Sequence, residues 1–237
     1  LDCWVPPSHL RVGAEGSLHT LAVKKGALYA RRWLPHPTGQ YHALEGHDGA
    51  IDEVALSSSG RFLLARKDKE LLIWDRRTLQ QPRITTDAKV LIAISPDDRQ
   101  LALAAPRGDL VLADLAALQG NHRRFSGPSP GPLQAIAFLD GDRLLSAYTQ
   151  GTLRIRNLSS DTERTLRDPE VSRIQRMATT PGSPWVATED PERSISLWDL
   201  RSGEVIHRLP TPPSRLRGLA LSPAGHYLAG ITHSNEI

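Results

Sequence analysis

The chain has 237 residues, 39% hydrophobic and 23% charged, which is an ordinary composition for a globular protein that can bury a sizeable core. Its formal net charge is +3, and its 24 Arg and 5 Lys are scattered along the sequence, which excludes the concentrated basic stripe of a dedicated nucleic-acid reader. Three Phe and one Met stand against 18 Gly and 18 Pro, a balance that favours short strands and turns over packed helices.

Cysteine and hydropathy limit the compartment. Cys3 is the sole cysteine, so the chain can form no internal disulfide, which favours a reducing compartment, and we predict a cytoplasmic location. No window approaches the roughly 18 apolar residues of a membrane helix, so we expect no membrane partner. The chain begins without Met, which leaves open that it is a fragment or that a signal peptide has been removed upstream.

The predicted elements recur at a fixed spacing along the chain. Residues 1–16 are predicted to be irregular or part of a first copy, and a weak copy then ends in ALYAR at Arg31. Four clearer segments follow at steps of 39, 43 and 42 residues: LLIWD ending at Asp75, LVLAD at Asp114, LRIRN at Asn157 and ISLWD at Asp199. Such a period indicates a repeat architecture. The predicted domain is 17–237, with copies near 17–45, 46–83, 84–121, 122–165 and 166–209 and an incomplete one at 210–237.

Each copy has the same internal order, seen whole in IDEVALSSSGRFLLARKDKELLIWD from Ile51 to Asp75. An alternating strand, a polar turn, a second apolar strand, a short turn and a third strand follow one another, and a fourth outer strand completes the copy. The first turn recurs as SSSGR, SPDDR, LDGDR and SPAGH, with Gly or Asp where tight turns need unusual backbone angles. A four-stranded sheet cannot bury both faces alone, so the copies must stack.

The copy from Gly46 to Asp75 resembles the WD-repeat β-propeller family. It carries a Gly-His pair at Gly46 and His47, a turn acid at Asp68, and the closing Trp74 and Asp75. The resemblance implies a buried hydrogen-bonded network of His, Asp, Ser or Thr, and Trp, with Arg66 standing where the Ser or Thr is expected. It also implies an all-β WD-repeat β-propeller with about five blades represented. The chain is then either a small closed ring or a piece of a larger propeller, with seven blades expected.

Sequence motifs that could catalyse a reaction or bind a metal are better explained by structural roles. GPSPG at residues 127–131 matches the hydrolase pattern Gly-x-Ser-x-Gly, but prolines flank Ser129 and LQAIAF after it predicts an inner strand, so we interpret it as a stiff loop. TEDPERS at 188–194 is the best acidic cluster and is interpreted as a long solvated loop, with a partner contact or a metal site as alternatives. His47 belongs to the repeat signature. We predict no catalytic residue, no metal and no cofactor.

The predicted function is that of a non-catalytic protein-interaction scaffold, or a sensor or docking domain of a larger protein or complex, because a rigid framework leaves the variable chemistry to its loops. By resemblance, the contact face bears the loops before the first strand and between the second and third strands. The predicted partner-binding residues on it are Arg66, Lys67, Arg107, Tyr148, Asp190, Arg193 and Arg217. The double arginines, such as Arg123-Arg124, keep a nucleic-acid-associated scaffold as an alternative, although nucleic acid is an unlikely partner. A propeller hydrolase is a further alternative. The partner and oligomeric state are not predicted.

Overall fold

The computed structural model describes residues 9–12, 18–24, 27–33, 41–44, 53–57, 59–75, 77–78, 83–85, 90–105, 108–118, 120, 122–126, 129–191, 194–210, 216–222 and 226–232. Every secondary-structure element among them is a β-strand, as the composition predicted. Within these residues, therefore, no helix is long and apolar enough to cross a membrane.

The strands form antiparallel sheets in chain order, which we number 1 to 6. Sheet 1 contains β1 (His9–Val12), β2 (Leu18–Lys24), β3 (Ala27–Trp33) and β4 (Tyr41–Leu44). Sheet 2 contains β5 (Glu53–Leu56), β6 (Phe62–Lys67), β7 (Glu70–Asp75) and β8 (Arg83–Thr85). Sheet 3 contains β9 (Leu91–Ile94), β10 (Gln100–Ala104), β11 (Leu110–Asp114) and β12 (Arg123–Phe125).

Sheet 4 contains β13 (Leu133–Phe138), β14 (Arg143–Tyr148), β15 (Thr152–Asn157) and β16 (Thr162–Arg167). Sheet 5 contains β17 (Arg176–Thr179), β18 (Trp185–Glu189), β19 (Ser194–Asp199) and β20 (Val205–Pro210). Sheet 6 contains β21 (Leu216–Leu221) and β22 (Leu228–Thr232). In each of the first five sheets the four strands are hydrogen-bonded in sequence order, so the predicted repeat of three antiparallel strands and an outer fourth is confirmed. This repetition is the architecture of a β-propeller.

The Asp or Asn that closes each repeat has a local structural role. Asp75, Asp114, Asn157 and Asp199 are the last residues of β7, β11, β15 and β19. Their side-chain Oδ1 atoms accept the backbone N–H two residues further on, at 2.8, 2.7, 3.1 and 2.8 Å respectively. Asp and Asn suit such turns because their short side chains reach the adjacent backbone. The recurring Asp or Asn of the sequence pattern therefore ends the third strand and starts the turn to the fourth.

The chain divides into two compact units. Unit 1 is Leu1–Val90, Ile94–Leu101 and Ala113–Asn121, and unit 2 is Leu91–Ala93, Ala102–Leu112 and His122–Ile237. In unit 1, Trp74 packs with apolar residues of β5, β6 and β7, among them Val54, Leu63 and Leu72. In unit 2, one buried cluster joins sheets 3 and 4, and a second joins sheets 4 and 5 around the fully buried Trp198. Stacking buries both faces of the inner strands, as in β6, whose first five residues are all buried.

Candidate interaction surfaces

The ladder register defines equivalent positions in successive sheets. Trp74 lies opposite Leu63, Arg156 opposite Leu144 and Trp198 opposite Val186, so Trp74, Arg156 and Trp198 are equivalent. Counting two residues along the second strand from each partner gives Ala65, Ser146 and Thr188. The prediction that Arg66 occupies the Ser or Thr position is therefore wrong, because the ladder places Ala65 there.

The hydrogen bond that the family resemblance implies for sheet 2 is found in sheet 5. The indole Nε1 of Trp198 donates to Thr188 Oγ1 at 2.8 Å, and both residues are buried. Ala65 has no hydroxyl and cannot accept the equivalent bond. His47 and Arg107 lie outside the described residues, and Asp68 lies in the exposed β6–β7 turn with φ +51°. The pair Thr188 and Trp198 could have been found from the strand WVATE facing SISLWD across a short turn.

Two of the predicted partner-binding residues are buried strand residues. Arg66 lies in β6 and is only 4% exposed, and Tyr148 ends β14 and is 5% exposed. This corrects the expectation that they lie on exposed loops. Both faces of β6 are covered, so the Arg66 side chain is buried although it is charged. The Arg154 guanidinium lies 5.6 Å from the centre of the Tyr148 ring, which holds that ring inside sheet 4.

The other predicted residues have different environments. Lys67 is partly exposed at the end of β6, and Asp190 follows β18, where its carboxylate accepts the backbone N–H of Ser194 at 2.9 Å and its hydroxyl at 2.6 Å. Lys67, Tyr148 and Asp190 are register equivalents, each four residues after the partner of the Trp position. Arg107 and Arg193 lie outside the described residues. Arg217 belongs to β21, but its side chain is not among those that the structure describes. The structure thus relates Lys67, Tyr148 and Asp190 by register, each within its own sheet.

Four residues, 190–193, join β18 to β19, compared with two between β6 and β7, three between β14 and β15 and five between β10 and β11, so the expectation that the TEDPERS loop is unusually long is wrong. Its Glu189 is buried and pairs with Arg176 Nη1 at 2.7 Å across the ladder between β17 and β18. That carboxylate serves sheet pairing. Among the described residues no group of three or more His, Cys, Asp or Glu is placed to hold a metal ion.

Arginines of the outer strands fasten one sheet of unit 2 to the next. Arg123 of β12 donates through Nη2 to the Leu158 carbonyl at 2.5 Å. Its register equivalent in β16, Arg164, donates to the Leu200 and Arg201 carbonyls at 3.0 Å and to the Ser202 carbonyl at 2.8 Å. Both residues therefore cap the turn that follows the third strand of the following sheet. One arginine of the Arg123-Arg124 pair is engaged within the protein.

Carboxylates engage further arginines. In sheet 4, Arg156 contacts Asp161 and Glu163 at 2.5 Å each, and its guanidinium lies 5.2 Å from the centre of the Phe125 ring. In sheet 2, Arg61 Nη2 lies 2.6 Å from Asp75 Oδ2, and this hydrogen bond holds the pKa of Asp75 well below its usual value. These ion pairs lower the positive charge that the surface offers to a phosphate backbone.

Asp168 lies before β17, on the face predicted to make contacts, and pairs with Arg208 of β20 at 2.6 Å. Burial alone would raise the pKa of Asp168, but hydrogen bonds from Arg208 and from the Glu170 backbone outweigh it and lower the pKa. The loop before the first strand of sheet 5 is thereby tied to the outer strand of the same sheet.

A small cleft lies between sheets 3 and 4. Its volume is about 30 Å³, and Ser129, Ser146, Tyr148, Arg154 and Glu163 are among the residues lining it. A space of that size holds about two water molecules. The Ser129 hydroxyl donates to the Gly131 carbonyl of its own turn at 2.5 Å. Ser129 thus takes part in the loop structure predicted for it.

Comparison with known families agrees with the repeat. The family model for the WD domain, G-beta repeat, matches residues 38–75. A comparison with curated proteins found no match to the chain. The matched segment runs from β4 to β7, so one sequence repeat contains the outer strand of sheet 1 and three strands of sheet 2. WD repeats generally serve as scaffolds for protein–protein interaction. Residues 38–75 therefore form a repeat of the WD family, and the four-stranded sheets that follow continue its β-propeller architecture.

Proposed function

We propose that this domain is a non-catalytic docking platform that holds a protein partner on the ends of its sheets, as part of a larger protein or complex in the cytoplasm. One observation carries the proposal: the turns between the second and third strands expose different side chains in three sheets, namely Lys69 in sheet 2, Gln150 in sheet 4 and Pro191 in sheet 5. A framework that repeats while its turn residues vary is suited to recognition rather than to one shared reaction.

The intramolecular use of arginine favours a protein partner over nucleic acid. Seven arginines among the described residues of unit 2 bind carbonyls or carboxylates of the protein itself, namely Arg123, Arg143, Arg154, Arg156, Arg164, Arg176 and Arg208. A nucleic-acid platform instead presents its guanidinium groups to phosphates. The alternative predicts a gel shift with duplex or single-stranded oligonucleotides that weakens steeply as salt rises.

Charge reversal at the β6–β7 turn tests the proposal. Lys67→Glu with Lys69→Glu changes two charges next to an exposed turn, and Arg66 is left untouched because it is buried. We expect the double variant to lose partners captured from a cell lysate and identified by mass spectrometry, with nearly the same melting temperature, since exposed substitutions cost little stability.

The matched control reverses Arg77 and Arg99, which are exposed at the opposite ends of their sheets. Capture by this control should equal that of the unchanged protein. Loss of the same partners in the control alone would assign the contact face to the opposite end, and equal capture by all forms would contradict the proposal.

A further inference from the structure

Sheet 4 lacks the tryptophan that packs between sheets 4 and 5. The register equivalents of Trp198 and Thr188 in sheet 4 are Arg156 and Ser146. Both of these residues line the small cleft between sheets 3 and 4. In sheet 5 the same position is filled by the buried indole of Trp198, whose N–H donates to the Thr188 hydroxyl. The cleft therefore lies where the third strand carries Arg in place of Trp.

Arg156 leaves part of this space open. Its guanidinium bonds to the carboxylates of Asp161 and Glu163 at 2.5 Å each. It also lies 5.2 Å from the centre of the Phe125 ring, and Phe125 and Glu163 belong to the outer strands β12 and β16. These contacts draw the charged group toward the outer strands. The remaining space has a volume of about 30 Å³.

A buried hydroxyl on the cleft has no acceptor among the described residues. Tyr148 lines the cleft and is only 5% exposed. Its Oη accepts a hydrogen bond from Ser146 Oγ at 3.4 Å, but no described group accepts the phenolic O–H in turn. Buried polar groups are normally hydrogen-bonded. We therefore expect the cleft to hold a group that accepts the Tyr148 O–H.

The described lining offers more hydrogen-bond donors than acceptors. Its charged side chains are Arg154, Arg156 and Glu163, two positive and one negative, so their formal sum is +1. Each guanidinium has several N–H donors and no acceptor atom. The Glu163 carboxylate already accepts from both arginines, at 3.4 Å from Arg154 and 2.5 Å from Arg156. A ligand that only accepts hydrogen bonds suits such a lining.

Much of the remaining lining is apolar. Leu110, Leu133 and Leu144 are buried and border the cleft. A buried water makes about three hydrogen bonds and needs acceptors for its own protons, which leucine side chains do not supply. A compact anion needs donors alone, and its attraction to a guanidinium is stronger in a partly enclosed site than in bulk water. An anion is therefore better matched to the cleft than water is.

We propose that the cleft between sheets 3 and 4 binds one small monovalent anion of the size of chloride, held by the Tyr148 O–H and the guanidinium groups of Arg154 and Arg156. The anion occupies the position that the Trp198 indole fills in sheet 5, and every described residue that lines the cleft belongs to unit 2. The cleft is separate from the exposed turn residues of the docking platform, so the two proposals can fail independently.

Anion-dependent stability tests the proposal in solution. The 237-residue chain is melted in rising sodium chloride or sodium bromide, with sodium gluconate keeping the ionic strength constant. At about ten times the dissociation constant of the anion, the ratio of folded to unfolded protein rises about elevenfold, which corresponds to a rise of roughly 3 to 6 °C in melting temperature. We expect a saturable rise of this order with either halide. A cleft that holds only water gives the same melting temperature in all three salts, and that result overturns the proposal.

Two single substitutions locate the anion. Tyr148→Phe removes the donor and keeps the ring, so chloride affinity should fall at least about tenfold. Ser129→Ala is the matched control, because Ser129 also lines the cleft but its hydroxyl donates to the Gly131 carbonyl. It should change chloride affinity less than about twofold, since the hydroxyl is already engaged. Equal chloride affinity in Tyr148→Phe and the unchanged protein would exclude this cleft as the site.

Bromide scattering adds a measurement that does not depend on the folding of a variant. A crystal of the unchanged chain grown in sodium bromide should show an anomalous peak at hydrogen-bond distance from Tyr148 Oη. A cleft without bromide contradicts the proposal. A bromide peak without any halide-dependent rise in melting temperature contradicts it equally, because that combination marks an adventitious ion only.

Discussion

Removing the Trp198 side chain should be among the most costly single changes in unit 2. Its side chain is fully buried between sheets 4 and 5, packing with residues that include Leu166 and Val186. Truncation of a buried aromatic to Ala costs about 3 to 5 kcal/mol, because transfer energy is lost and a cavity is left. For a chain of this size, that corresponds to a fall of roughly 6 to 20 °C in melting temperature.

The hydrogen bond to Thr188 can be separated from the packing. Thr188→Val keeps the shape but leaves a buried indole N–H without its acceptor, which costs about 1 to 3 kcal/mol. In Trp198→Phe that N–H is absent, so adding Thr188→Val should then cost much less. Denaturant unfolding of the two single variants and the double variant therefore gives a coupling energy, expected near 1 kcal/mol.

Arg156→Ala is the matched comparison at the equivalent position. Its side chain is 16% exposed, and its partners Glu163 and Asp161 are 30% and 60% exposed, so solvent screens the ion pairs. With the contact to the Phe125 ring included, the expected loss is about 1 to 2 kcal/mol. Equal losses for Trp198→Ala and Arg156→Ala would refute the assignment of packing energy to the Trp position, and additive effects of Trp198→Phe and Thr188→Val would refute the hydrogen bond.

Three further predictions concern the backbone, acid stability and strand content. Gly151→Ala should unfold the protein or cost more than about 2 kcal/mol, because φ is +73° and the added Cβ would lie 1.7 Å from the Val171 carbonyl oxygen. Gly182→Ala, with φ +79° and nothing within 4 Å of the added Cβ, should cost only the left-handed backbone strain of about 1 to 2 kcal/mol. Similar urea midpoints for the two variants would contradict this prediction. The pKa of Asp75 is lowered in the folded protein, so its ion pair stabilises the fold at pH values above the unfolded pKa near 3.9, and this stability is lost as the pH falls. Asp75→Asn should therefore lose less stability than the unchanged protein between pH 6 and pH 3. Parallel losses of the two proteins in guanidinium unfolding would exclude the effect. Far-UV circular dichroism should show a strand spectrum, and helix above about a fifth of the chain would contradict the fold.

The sequence predicted the fold because its signals are local. An Asp or Asn ends four of the third strands, and its side-chain oxygen accepts the backbone N–H two residues further on. A Ser at the first turn also accepts a backbone N–H of its own turn. The hydroxyls of Ser57 and Ser95 accept the backbone N–H five residues on, at 3.0 and 2.8 Å. Interactions of that range can be deduced from residue type and spacing alone, so the ends of β7, β11, β15 and β19 lie where the repeat placed them.

The contact face was harder to predict because exposure depends on neighbouring sheets. Alternation along a strand distinguishes two faces, but stacked sheets cover both of them, so the charged Arg66 and the polar Tyr148 are buried despite their positions near strand ends. The weak N-terminal copy was similarly incomplete in sequence, since its first strand was uncertain, while the structure pairs β1 with β2. Both outcomes are set by packing between segments that one repeat does not contain.

One segment matches the WD family model, whereas four-stranded sheets occur five times among the described residues. In sheets 4 and 5, the residue at the Trp position covers the outer strand of the preceding sheet. Trp198 does so by packing and a hydrogen bond to Thr188, and Arg156 does so by lying over Phe125 while two carboxylates neutralise its charge. The ladder register is common to both solutions, but the residue is not. The family model matches the copy that combines the Gly46-His47 pair with Asp68 and the closing Trp74-Asp75, while the backbone pairing continues through copies that keep only part of that set, such as sheet 5 with Trp198.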